Sequence, residues 1–544
     1  MSDQSVDGRV PRDASAGSQP LSEPPVGRRE FLALLAAAPA LVGLTQKSGR
    51  VITGGFADDG SAVGHALRDG TALPRAREQR RTTVAIVGGG MGGLSAGWRL
   101  DARGVSDWVL LELASDTGGN ARSGANPSGR YPWGAHYLPV PSADAEYVRA
   151  LMAELGVLQS DGVWDERTLC HSPQERLWQH GRWHEGLAPF DALPGSERAQ
   201  FERFTAMIAD WRATGAFRVP SALGHAARAR SPRAAAIVAL DTQTAASWLA
   251  AQGFTSPALR WWVEYGTRDD YGASLEQASA WAAVHYFAAR DDDEGPLTWP
   301  EGNDWIAQQL TKRLSARLAA DRGPRVVTGA PAVSITRAGA QWLVRTPRVD
   351  ITCDVVIWSA PLFVLPRVMP GVQLPVTLEY SPWVVANLTL DRLPRSHGAP
   401  LSWDNVIYGS AALGYVDASH QLLRTPSPRR VWTWYHAVVD RPAREARQWM
   451  QQRPWSRWRD EILADLSRAH PDIAECVSRI EVMRWGHAMA RPVPGVLGRV
   501  ETLRQWQPAE RMFVAHADLS GVSLLEEAQW HGVQAADRAV QVVG

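Results

Sequence analysis

Gly88, Gly90, Gly92 and Gly93 stand in "TTVAIVGGGMGGLSAGWRL", between a β-branched apolar run and a helical pattern. Gly88, Gly90 and Gly93 spell G-x-G-x-x-G in the strand–turn–helix context that gives the pattern physical meaning. The first glycine allows a tight turn, the second lets backbone approach a pyrophosphate, and the third lets helix and strand pack closely. The helix N-terminus adds N–H donors and a positive dipole. A second strand, "DWVLLEL", ends at Glu112, the spacing of an acid that binds ribose hydroxyls and disfavours a 2′-phosphate. These residues predict a dinucleotide site, and the glycine turn alone does not choose between FAD and NAD. Ser95 also falls in G-x-S-x-G (Gly93 to Gly97), but a nucleophile elbow needs its serine on the turn itself. The glycines occupy that turn, so Ser95 reads as a packing residue.

The elements that must hold such a site belong to a chain of 544 residues with no formal net charge. That length suits two or three domains or one discontinuous unit, and the charge balance gives no nucleic-acid footprint. Arginine almost wholly replaces lysine, leaving Lys47 and Lys312. Cys170, Cys353 and Cys476 are odd in number and far apart, giving neither a disulfide framework nor metal-ligand spacing. The 25 tryptophans suit aromatic-lined cavities as well as core. "NDWIAQQLTKRLSARLAADRG" has helical spacing and a glycine stop, and "VVANLTL" suits a strand.

At the N-terminus, "GRREFLALLAAAPALVGL" sets Arg28-Arg29 before an apolar run too short to be a comfortable span. It resembles a twin-arginine export signal, with the translocation machinery as partner. The expectation is export to the periplasm, the protein either free there or held at the membrane by an uncleaved N-terminus. Residues 1–44 form this disordered region and signal, and residues 45–81 a linker.

Six residues after Glu112, "ELASDTGGNARSG" brings Gly118 and Gly119. This resembles the E-x5-G-G extension of the flavin-containing amine oxidase and phytoene-desaturase superfamily of FAD-dependent oxidoreductases, where the loop follows the FAD pyrophosphate. That family has arginine after the two glycines; here Asn120 stands there and Arg122 follows, leaving the choice of phosphate partner open. "RYPWGAHYLPV" resembles the stretch that brings Gly134, Ala135 and His136 towards the flavin ring. "VVTGAPAVSITR" resembles the strand whose Val333 backbone meets adenine, and "CDVVIWSAP" its return strand. "RMFVAHADLSGVSLLEEAQWHGVQAADRAV" resembles the C-terminal flavin motif. There the resemblance implies Asp518 near the ribityl-pyrophosphate and a Leu525 N–H at the flavin O2 edge. His516, Glu527 and His531 depart from the family pattern.

The resemblance implies an α/β protein. A Rossmann-type, glutathione-reductase-like FAD-binding domain would be discontinuous over 82–145, 300–365 and 486–544. A mixed sheet-plus-helices substrate domain would occupy 146–299 and 366–485. It also implies a small-molecule substrate, an amine or polyamine oxidised by hydride transfer to flavin N5. His136, Tyr137 and Trp530 are the candidate catalytic residues, with Trp133 as a further aromatic. Asp269, Asp270 and Asp291–Asp293 either attract a cationic substrate or are solvated loop and cap residues. Many amine oxidases of this superfamily carry a lysine on a substrate-domain strand; the matching strand here reads Trp383-Val384-Val385-Ala386-Asn387. That absence argues against oxygen and for a quinone or other electron acceptor, and it weakens the case for an amine substrate. Two alternatives stay open: a desaturase or dehydrogenase of an apolar substrate, and a non-catalytic flavin-binding protein.

Overall fold

The computed structural model describes residues 51–57, 60–188, 193–290, 295–316, 323–422 and 429–544. The twin-arginine stretch and Asp291–Asp293 lie outside the described residues. Residues Ile52–Gly544 form one compact unit, separate from Met1–Val51, and the fold below is that of the larger unit. The elements that position the site are, in chain order, β1 (Thr53–Phe56), α1 (Ser61–Asp69), β2 (Glu78–Val87), α2 (Met91–Ala102), β3 (Trp108–Leu111), α3 (Pro257–Tyr271), α4 (Asp304–Ser315), β4 (Val349–Trp358), β5 (Glu379–Leu390), β6 (Val477–Arg491) and α5 (Leu525–Val543).

Strands β3 and β4 flank β2 in parallel, Val84 facing Trp108 on one side and Val355 on the other. Val326–Val327 extends this sheet beyond β3, and Met512–Val514 runs parallel to β4. Val84, Ala85 and Ile86 are fully buried, as in a parallel strand covered on both faces. Leu94 and Leu100 of α2, Ile306 and Leu310 of α4 and Ala535 and Ala539 of α5 share one core with Ile86 and Leu110. Helices α2 and α5 cross where neither can carry a side chain: a Cβ on Gly532 would lie 2.2 Å from the Gly92 carbonyl oxygen.

A second sheet runs in the order β1, β6, β5, Arg430–Ala437, Tyr415–Asp417, Asp404–Ile407, Glu175–Gln179 and Arg182–Glu185. Alternation along β5 sorts its two faces. Val384, Ala386 and Leu388 enter one core, while Trp383 and Val385 enter the other, on the side of the site. Helices between 195 and 288, α3 among them, form a third layer around Phe204, Trp248, Leu259 and Trp281.

The parallel-sheet strands come from 78–111, 326–358 and 512–514, so this domain is discontinuous, in an α/β chain with a mixed second sheet. Two boundaries move. Strand β6 runs unbroken through position 486, and β2 begins at Glu78. The expected linker 45–81 instead contains β1 and α1. "TGGF" is too short and glycine-rich to show alternation, and the amphipathic face of α1 spans only nine residues.

Candidate active site

One cavity of about 440 Å³ runs from the glycine turn after β2 to the face of β5 that carries Trp383 and Val385. At its first end Gly88 has φ +110°, and a Cβ there would sit 2.7 Å from Ser359 backbone, so only glycine turns the chain here. A Cβ on Gly93 would lie 1.9 Å from the Gly88 carbonyl oxygen, which lets α2 start directly beneath the turn. The Gly118–Gly119 turn lies alongside: the Gly118 N–H donates to Gly89 O at 2.8 Å. Both turns line the cavity, with the N-terminus of α2 between them.

Glu112 accepts from the Gly89 N–H at 2.6 Å and the Ala114 N–H at 2.7 Å. Burial pushes this carboxyl above the ordinary range against those N–H groups. Further along, Asp518 Oδ2 accepts from the Leu362 N–H at 2.9 Å and the Tyr380 hydroxyl at 2.7 Å. Burial alone would raise the Asp518 carboxyl; the His516 ring and these donors outweigh it and hold the group below the usual range. Its Oδ1 lies 3.2 Å from His516 Nδ1 but has no hydrogen-bond partner, although the residue is fully buried and lines the cavity. A cradle of glycines, an acid at the end of β3 and an unsatisfied buried carboxylate oxygen together fit a dinucleotide.

The other end is aromatic and acidic. The His136 ring stacks on Tyr435 (4.5 Å between centroids) and lies 5.5 Å from Trp403. Burial lowers His136 to about 4, so the ring is neutral at neutral pH. The Tyr137 hydroxyl donates to Asp269 Oδ2 at 3.1 Å, and the Tyr265 hydroxyl to Asp404 Oδ2 at 3.0 Å. Arg290 Nη1 pairs with Asp270 Oδ2 at 3.0 Å. Asp269, Asp270, Asp404 and Glu526 all line this space, with Arg290 the one guanidinium among them. Burial, then the neighbouring Asp270 carboxylate, pushes Asp269 up to about 7. Burial pushes Glu526 up to about 7 as well, against the pull of Arg290. Burial, then Glu175 and Asp269, holds Asp404 well above the usual range.

Crowded acids of this kind contribute stability at low pH that the empty protein loses as they ionise. A carboxyl whose value rises from 3.8 in the open chain to about 7 in the fold binds extra protons between those limits. This contribution therefore falls as pH rises through that window and levels off above it. Buried histidines held neutral, His136, His285 and His531 among them, act the other way below about pH 6.5. The carboxyl is therefore read as a difference: from about pH 5 to about pH 8 the thermal midpoint of the cofactor-free parent is expected to fall relative to that of Asp269→Asn. Calorimetry of both proteins in a pH series measures it.

Most residues expected from the sequence meet in this cavity. Gly88, Gly90, Gly92, Gly118, Gly119, Glu112, Gly134, Ala135, His136, Tyr137, Asp518 and Leu525 line it, as do Asp269 and Asp270. Gly93 stands one position behind the wall, closing the turn. Three placements differ, those of Trp530, Arg122 and Val333. Trp530 lies off the cavity against Tyr147, 5.5 Å between centroids, because α5 turns its 524–528 edge to the cavity. Arg122 does not reach the wall either; its guanidinium covers the Trp485 ring at 5.3 Å, and Asn120 lines the cavity instead. The Val333 N–H is used by Arg345 O at 2.8 Å, and Pro331 and Ala332 form the wall. His531 bonds Ser520 at 2.7 Å inside a buried cluster with Glu527.

Reasoning from the sequence missed Asp404, Arg290, Glu526 and Tyr435. Glu526 adjoins Leu525 in a recognised motif and was within reach. Asp404, Arg290 and Tyr435 come from three separate segments and have no local signal. Ser95 is fully buried on α2, as a packing residue should be.

The fold and site define a class: a Rossmann-type dinucleotide-binding domain joined to a mixed-sheet domain, with one cavity between them. Residues 86–155 match the family of NAD(P)-binding Rossmann-like domains. Comparison with curated protein sequences gives no match. Among solved structures, a putrescine oxidase bound to putrescine is similar over 85% of this chain and 100% of its own, at 17% identity and TM-score 0.62. A cyclohexylamine oxidase from Brevibacterium oxydans IH-35A is similar over 85% and 99%, at 15% identity and TM-score 0.61. A CLA-producing fatty acid isomerase from P. acnes is similar over 84% and 98%, at 16% identity and TM-score 0.59. The chain has the fold these proteins share.

Proposed function

We propose that this chain is an FAD-dependent oxidoreductase that oxidises an amine. The observation that carries the reading is the continuity of one cavity, from a dinucleotide cradle to an aromatic chamber with four carboxyls and one guanidinium. FAD, when bound, supplies the acceptor for a hydride equivalent from the substrate. The protein's part is binding and orientation. Glu112 offers its carboxylate to ribose hydroxyls, and the glycine turns and the α2 N-terminus face the pyrophosphate. The first turn of α5, at Leu525, brings N–H groups and a positive dipole end to the far part of the cavity. His136, Tyr137 and Tyr435 form an aromatic wall backed by Trp403, and a neutral His136 adds no charge to repel a cation.

The acids favour a cationic substrate head. An ammonium group beside Asp269 and Asp404 would favour their ionised forms and so release protons on binding. Apparent affinity for amines therefore rises as pH increases through about 7. Lys312 is exposed on α4, among the described residues no lysine lines the cavity, and β5 presents Trp383 and Val385 there. We take electrons to leave to a quinone or another acceptor rather than to oxygen. The twin-arginine reading of the N-terminus assigns the protein to the periplasm, free or membrane-anchored, exported after folding around its cofactor. Among the described residues no helix is long and apolar enough to cross a membrane.

A second reading, dehydrogenation of an apolar substrate, is favoured by the wall of Trp383, Val385, Leu413 and Val416. Anaerobic titration of the flavin-loaded protein separates the two. Bleaching by diamines and primary amines, followed by slow recovery in air, is the expected result. Bleaching by an apolar polyene alone supports the second reading, and bleaching by neither supports a non-catalytic flavin protein.

A further inference from the structure

Residues 52–57 and 60–70 precede the first glycine turn and lie outside the expected boundaries of both domains; the first stretch joins the second sheet and the second reaches the cavity. Strand β1 adds to the exposed edge of β6 in parallel, Gly54 facing Ile480 and Phe56 facing Val482. The seating is close. Gly54 has φ +146°, and a Cβ there would fall 1.7 Å from the Ile480 carbonyl oxygen, so no other residue fits. The Ala57 N–H continues the ladder to Val482 O at 2.8 Å, and Arg484 covers the Phe56 ring at 3.7 Å. This anchors one end of the segment to the second sheet.

The other end crosses to the dinucleotide domain. Helix α1 begins at Gly60, where a Cβ would meet the Leu113 side chain at 2.8 Å, next to Glu112. It packs on the short helix Leu365–Val368 and stops at Gly70, whose left-handed conformation lets its N–H cap the helix. His65 is tied to Gln451 at 2.9 Å. Leu67 packs against the core beneath β4 and also lines the cavity, and the start of its helix meets Leu113, the neighbour of Glu112. No residue of α1 is fully buried. A nine-residue helix without a buried face is marginal alone in water, so it persists through its anchors and its contact with the cavity.

We infer that β1 and α1, residues 52–57 and 60–70, act as a retaining strap for the ribose end of the cofactor, with β1 as its anchor and Leu67 as its contact. The inference rests on the FAD reading above. Because cofactor contact and helix docking are linked, each stabilises the other. Bound FAD slows the opening of α1, and a loosened strap speeds the release of FAD.

The test uses the full flavin-loaded chain and follows FAD release after dilution by the rise in flavin fluorescence. Leu67→Ala removes the contact and Gly54→Val unseats the anchor. Neither changes the glycine cradle, Glu112 or Asp518. Release is expected to speed up about tenfold in Leu67→Ala, the order set by losing one leucine contact, and at least as much in Gly54→Val. Hydrogen exchange of the α1 amides is expected to slow when FAD is bound. Release within twofold of the parent in both variants, or α1 exchange indifferent to FAD, overturns the strap while leaving the cofactor reading intact. A folded full chain that takes up no FAD overturns the cofactor reading and the strap together.

Discussion

Replacing Gly90 with valine is expected to empty the cofactor site while leaving the protein folded. Gly90 has φ −73° and ψ −177°, an extended conformation open to any residue. A Cβ at Gly90 meets nothing closer than Gly119 Cα at 4.0 Å, so it would project between the two glycine turns into the space the pyrophosphate needs. FAD per chain is expected to fall from about one to below about 0.1, more than tenfold, for a side chain that removes the close backbone approach. The thermal midpoint of the cofactor-free variant is expected to stay within a few degrees of the parent. Gly93→Val provides the contrast. Its Cβ would strike the Gly88 carbonyl oxygen at 1.9 Å, so this variant loses stability as well as flavin. Flavin absorbance per protein, measured with calorimetry, distinguishes the two outcomes. Normal FAD content in Gly90→Val would mean that the pyrophosphate does not lie over this turn.

Asp269→Asn carries the second large effect. The Asp269 carboxylate lines the chamber, receives the Tyr137 hydroxyl at 3.1 Å and is raised by burial and by Asp270. An ammonium group replaces the missing positive charge, and removing one partner of such a buried pair costs about 2–5 kcal/mol. The efficiency of flavin reduction by an amine is expected to fall about 100-fold or more, mostly as weakened binding. The rise in affinity through about pH 7 should flatten in the same variant. Reduction by a small inorganic reductant, which needs no ammonium site, should be unchanged. Stopped-flow reduction at several pH values measures all three. An unchanged amine dependence would remove Asp269 from substrate recognition.

The dinucleotide half of the site was legible because its chemistry is local. Gly88, Gly90 and Gly93 act through their own backbone, and Glu112 follows from the length of one βαβ step. The C-terminal segment was legible for the same reason as far as Asp518 and Leu525. Depth along the helix then decided what the motif could not: Glu526 enters the cavity from the first turn of α5, whereas Trp530, one turn further along the same face, meets Tyr147. Arg122 was misplaced because its charge suggested a phosphate, whereas the fold lays its guanidinium on Trp485. The substrate chamber was least legible. Asp269 and Asp404 are 135 positions apart, on α3 and on the strand Asp404–Ile407, and only the packing of the helical layer on the second sheet brings them together. Within the expected linker, β1 escaped notice because four glycine-rich residues take their structure from docking on β6, and α1 because its apolar face spans only nine residues.

The central claim is that the glycine cradle holds FAD. The most direct measurement is the flavin content of the purified full chain, by releasing its chromophore and identifying it. One FAD per chain, set free on unfolding and taken up again by the refolded protein, is the result expected. A folded chain that carries no flavin, does not take up added FAD and binds a nicotinamide dinucleotide instead would contradict it.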